Sequence, residues 1–134
     1  MSFVHWVLVY IASLAAFLLI DMIWLGVIAR GMYRTQIGHL LADTPNWTAA
    51  FVFYALFVLG IMFFAVSPAV AADSWGVLIR NGAFFGLITY ATYDLTSLAV
   101  MKNFPASIAL IDMAWGTVLV TSVSAIAYRV AAAL

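Results

Sequence analysis

Cysteine and glutamate are both missing from this chain, and only 7% of its 134 residues are charged. Without cysteine there are no disulfides, thiolate metal sites or cysteine nucleophiles. The scarcity of charge excludes more. A soluble domain normally carries about 25% charged residues, and a surface this poor in them has too few polar groups to face water. Net charge is zero and the five basic residues are scattered, which excludes the basic stripe of a nucleic-acid binder. No paired histidine spacing, serine–histidine–aspartate arrangement, phosphate loop or dinucleotide fingerprint is present. No metal site is therefore expected, and no cofactor is indicated.

What is abundant is apolar: 68% of residues are hydrophobic and the mean hydropathy is +1.18. Lipid is the solvent that accepts such an exterior. The N-terminal apolar run lacks a basic leader and exceeds the core of a cleavable signal, and no lipidation motif is seen. The apolar stretches are thus expected to be the anchors.

A spanning helix needs roughly 20 apolar residues. Four segments qualify, at about residues 3–29, 47–70, 76–101 and 105–130. The first is expected to end at Arg30-Gly31, where glycine suits a helix C-terminus. The second is entered through the turn and cap cluster Asp43-Thr44-Pro45-Asn46, and Pro105 suits the first turn of the fourth. Short links after the second and third spans impose antiparallel packing. The expected fold is all-α: one integral membrane domain, a four-transmembrane-helix antiparallel bundle. Between the first two spans, Tyr33, Ile37, Leu40 and Leu41 recur at helical spacing, which predicts a short amphipathic helix in the interface, with a solvent loop as the alternative. The membrane face holding that segment, here side X, has Arg30, Arg34 and Lys102 against Arg80 and Arg129 on the opposite side. That excess leans towards side X being cytoplasmic.

Asp43 and Asp73 fall in turns and read as solvated caps. Asp21, Asp94 and Asp112 fall inside the first, third and fourth spans. At ~1.5 Å per residue each lies roughly 10–12 Å below side X. An aspartate near a helix centre costs about 2.5–3.5 kcal/mol to insert, so such residues usually face inward and mark a site or pathway. If the three converge, their mutual repulsion favours holding a proton or a cation. In the plainer alternative, tyrosine, tryptophan, threonine, Arg30 or Lys102 satisfies each one separately, as helix glue.

Their neighbours sharpen this reading. Trp24 and Trp115 each follow an aspartate by three positions, on the same helical face, or else belong to the interfacial aromatic belt. Leu19-Ile20-Asp21-Met22-Ile23-Trp24 and Leu110-Ile111-Asp112-Met113-Ala114-Trp115 match at five of six positions, which hints at a local two-fold arrangement. In the third span, Gly82 and Gly86 form a small-residue stripe for close helix packing, continued by Tyr90, Tyr93 and Ser97. That pattern suits a central helix, with Tyr90 and Tyr93 as donors to a carboxylate or ligand. His39 is placed to fold over the acidic layer only if its linking segment allows it.

The blocks Asp21-Met22-Ile23-Trp24-Leu25-Gly26, Phe53-Tyr54, Tyr93-Asp94-Leu95-Thr96-Ser97-Leu98-Ala99 and Ile111-Asp112-Met113-Ala114-Trp115-Gly116-Thr117 resemble a family of small bacterial membrane proteins, the domain of unknown function numbered 2177. The resemblance extends over nearly the whole chain. It implies a four-helix protein of the bacterial inner membrane and brings no substrate with it. Three functions stand side by side. One is binding or transport of a proton, cation or cationic amphiphile at Asp21, Asp94 and Asp112, in a homodimer joined through Gly82 and Gly86. Another is an enzyme acting on a lipid or quinone-like substrate, and the third is an assembly subunit of a larger membrane complex.

Overall fold

A computed structural model describes residues 1–134, and every regular element in it is helical. Four helices are long and apolar enough to cross a membrane: α1 (Phe3–Ile28), α3 (Trp47–Ala72), α4 (Trp75–Val100) and α5 (Ala106–Ala133). A short helix, α2 (Arg30–Ile37), joins the first two. The largest departure from the expected bounds is at the C-terminus, where α5 runs to Ala133 rather than about residue 130.

Local chemistry sets most of the boundaries. Ser2, Asn46 and Ser74 cap α1, α3 and α4 by accepting from the amides of His5, Ala49 and Val77. Asp73 ends α3 in the left-handed conformation, with φ of 48°, and turns the chain back into α4. Pro105 stands one residue before α5, at its cap, rather than in its first turn.

The end of α1 differs from the expectation. Its last turn, Trp24–Ile28, is π-helical and closes with Ala29 N–H donating to the Trp24 carbonyl at 2.8 Å. Ala29 then breaks the helix at φ −104° and ψ 1°, and Gly31 lies inside α2 instead of terminating α1. The wide π turn redirects the chain without a left-handed residue, and no glycine has a positive φ. The amphipathic segment is helical as read, but its apolar side is not all laid on lipid. Ile37 is buried with Phe104, Ile108 and Ala109 at the start of α5, while Leu40 and Leu41 are exposed in and after a tight turn, Gly38–Leu40.

The main core is drawn chiefly from α3 and from α5, which supplies Leu119, Val120, Val123, Ala127, Tyr128 and Ala131, and α5 also packs on α1 and α4. Here α5, not α4, is the central helix. The glycines explain why. A Cβ on Gly86 would fall 2.6 Å from the Gly116 carbonyl, and one on Gly82 would fall 3.1 Å from Ser124 Oγ. Both glycines are therefore buried against α5 within one protomer, where their small size lets the two backbones touch. They offer no surface to a second copy, which removes them as the expected dimer contact.

Helix α3 is bent by its own sequence. Pro68 has no N–H, so the Phe64 carbonyl four residues earlier loses its helical donor. The preceding turn, Met62–Val66, widens to π form, and Asn81 Nδ2 from α4 donates to the Phe64 carbonyl at 3.0 Å. In lipid such a replacement donor is needed, because no water is there to supply one. Beyond this bend α3 closes on α4 and α5, whereas its first half leaves a cleft beside α4.

Candidate functional site

The two Asp-x-x-Trp segments lie on α1 and α5, and three-residue spacing puts each aspartate and its tryptophan on one face. Because the helices pack together, the indoles of Trp24 and Trp115 meet and stack, with centroids 4.4 Å apart and planes 8° from parallel. Each indole then serves the carboxylate of the opposite helix. Trp115 Nε1 donates to Asp21 Oδ1 at 3.3 Å, and the Tyr54 hydroxyl donates to Asp21 Oδ2 at 3.2 Å. Trp24 Nε1 donates to the Tyr33 oxygen at 3.3 Å, and the Tyr33 hydroxyl donates in turn to Asp112 Oδ1 at 2.9 Å. The sequence match at five of six positions thus corresponds to a reciprocal exchange across one stacked pair. Both tryptophans are half-buried, with their rings facing each other across the helix pair.

Asp94 is different. It is 0% exposed, and neither carboxylate oxygen has a hydrogen-bond donor. Its place follows from the α4 stripe, in which Leu78, Gly82, Gly86 and Asp94 are buried at intervals of one or two turns. The stripe runs through Asp94 rather than Tyr93, which is 61% exposed. Asp94 lines one cavity with Asp112, and two carboxyls that approach each other can share one proton but cannot bond when both are ionised.

Asp94 and Asp112 line a cavity of about 470 Å³ together with Arg30, Tyr33, Arg34 and Tyr93. The arginines stand one turn apart on α2, on the side X end of the site. A second space of about 440 Å³ lies between the first half of α3 and the second half of α4. Phe53, Phe57, Thr89 and Tyr90 make its walls, and Tyr93 and Asp112 line both spaces. Outside the spans, burial pushes the Tyr33 phenol above its ordinary range, the charge of Asp112 adds to this, and donation from Trp24 opposes it. Tyr33 therefore remains a donor to Asp112.

Of the expected site residues, Asp94 and Asp112 come together, while Asp21 sits behind the indole pair, is satisfied by two donors and lines neither space. Tyr90 enters through its ring: it covers Gly116 so closely that a Cβ there would lie 2.1 Å from Tyr90 Cγ. Lys102 and His39 are exposed, and neither lines the cavity. The donors of Asp21 and Asp112 are neutral phenol and indole groups, not arginine or lysine.

Sequence reading missed Tyr33 and Tyr54 as the phenolic donors, weighed Arg30 as a partner for one aspartate, and took Arg34 only as a topology marker. The available signal was a tyrosine between two arginines in the segment that must fold back near the aspartates.

Four apolar helices around buried carboxylates define a polytopic membrane protein. Residues 6–129 match the model of the family described as "Predicted membrane protein (DUF2177)", and the chain belongs to that family. No curated protein and no solved structure matches it.

Proposed function

We propose that this protein binds a cationic group, either a proton or the cationic head of an amphiphile, at the Asp94–Asp112 pair. One observation carries the reading: a fully buried carboxylate without a donor, beside a second carboxylate, at the wall of a cavity. A buried acceptor left unpartnered costs about 1–3 kcal/mol, more if charged. A cation placed between Asp94 and Asp112 removes that cost and their mutual repulsion together. The cleft beside α4 gives an amphiphile a lateral way in from lipid, and the setting we propose is the bacterial inner membrane.

The test is binding of dodecylammonium to the detergent-solubilised protein, followed by calorimetry. Loss of one charge-assisted contact should weaken binding about tenfold or more in Asp94→Asn and in Asp112→Asn. Unaltered affinity in both folded variants overturns the reading.

The cleft reaching Asp112 also favours a second reading, in which the carboxyl pair exchanges a proton with a lipid substrate as general acid and base. A changed lipid profile on deletion of the gene, restored by the wild-type chain and not by Asp112→Asn, is its expected signature.

A further inference from the structure

Two exposed arginines and two carboxylates line one cavity. Arg30 and Arg34 line the same space as Asp94 and Asp112, yet the aspartates take no hydrogen bond from them. A simple cation entering this cavity meets two like charges, and a simple anion held by the arginines meets two acidic groups. A ligand with a positive group at one end and a negative group beside it complements both ends at once. The second space adds an apolar requirement, because Phe53, Phe57 and Tyr90 wall a cleft that shares Tyr93 and Asp112 with the cavity.

We infer that the site receives a zwitterionic phospholipid with an ammonium headgroup. The ammonium lies between Asp94 and Asp112, the phosphate lies against Arg30 and Arg34, and an acyl chain leaves through the cleft between α3 and α4. The inference rests on the cation-site reading above and assigns its ligand class. Arginine suits the phosphate because its planar fork donates two parallel hydrogen bonds. Tyr33, between the two arginines in sequence and bonded to Asp112, links the two halves of the headgroup site.

The experiment is native mass spectrometry of the purified full chain in detergent, with four probes offered separately. These are dioleoyl phosphatidylethanolamine, dioleoyl phosphatidylglycerol, free phosphoethanolamine and dodecylammonium. Retention of phosphatidylethanolamine should exceed that of phosphatidylglycerol and of chain-free phosphoethanolamine by about tenfold or more, through loss of one charge-assisted contact in the first case and of the buried acyl chain in the second. Arg30→Gln/Arg34→Gln should cost phosphatidylethanolamine about tenfold or more of its retention while dodecylammonium binds as well or better, because two repelling charges are gone. Arg30→Lys/Arg34→Lys should keep most of that retention, and Asp94→Asn should lose both ligands. Circular dichroism and size-exclusion profiles establish that each variant is folded. Equal retention of the two lipids, or an arginine-free variant that retains phosphatidylethanolamine as well as the wild type does, overturns the lipid assignment. If dodecylammonium still binds in an Asp94-dependent way, the cation site survives that result. If dodecylammonium does not bind at all, both readings fall. Phosphoethanolamine binding as tightly as the lipid overturns the membrane source in favour of a soluble zwitterion.

Discussion

Trp24 of α1 and Trp115 of α5 stack almost flat, 4.4 Å apart; the Trp115 N–H donates to Asp21 itself, and the Trp24 N–H donates to Tyr33, the donor of Asp112. The pair therefore does two jobs, since it packs two helices together and it orients the donors around Asp21 and Asp112. Aromatic pairs contribute about 0.5–1.5 kcal/mol beyond their area. In a cycle of Trp24→Ala, Trp115→Ala and the double variant, unfolding in micelles should give a coupling energy in that range. Trp115→Ala should be the costlier single change, because it strips a donor from the more deeply buried Asp21. Strict additivity would show that the stack contributes nothing of its own.

Close approach of α4 and α5 predicts a selective rescue. Gly116→Ala puts a methyl group into the Tyr90 ring, and Gly86→Ala puts one against the Gly116 carbonyl. Each should destabilise by about 1–3 kcal/mol. Adding Tyr90→Ala should relieve the first and leave the second unchanged, since a ring can be removed and a backbone carbonyl cannot. Thermal stability in detergent measures both.

Asn81 and Pro68 should be thermodynamically linked. Asn81→Ala removes the donor to the Phe64 carbonyl, a loss of about 0.6 kcal/mol on the average for such bonds in membranes. With Pro68→Ala the backbone N–H returns, and the same Asn81→Ala change should then cost close to nothing. An equal cost in the two backgrounds would detach Asn81 from the proline.

Alkaline pH should act through Tyr33. Its phenol holds the proton more tightly when folded, so the folded chain stays protonated where the unfolded chain, titrating at about 10, has lost it. The stability this gives is whole below about pH 10 and drains as pH rises beyond it. Tyr33→Phe should flatten the loss between neutral and strongly alkaline pH and remove one late-titrating phenolate from the ultraviolet absorbance. An unaltered titration would mean that Tyr33 is in contact with water.

Residue by residue, some of the site could be read in advance. Asp94 shares its face with Gly82 and Gly86 because spacings of four repeat around one side of a helix, so the stripe that packs also points the carboxylate inward. Asp21, on an equally clear pattern with Trp24, ended outside the cavity because Tyr54 and Trp115, both distant in the chain, supply its donors.

The sequence alone determined the four crossings, the antiparallel order and the placing of Asp21 and Asp112 each on one helical face with a tryptophan three residues on. All of these follow from short-range quantities: hydropathy summed over the thickness of a bilayer, link length, and the rise and turn of a helix. Tertiary structure alone decided that Asp94 would meet Asp112, that Tyr33 would reach Asp112 from 79 positions away, and that the glycine stripe would be used within the protomer. Those outcomes depend on how far each helix rotates about its own axis, and that rotation is fixed by the fit of neighbouring side chains rather than by any single segment.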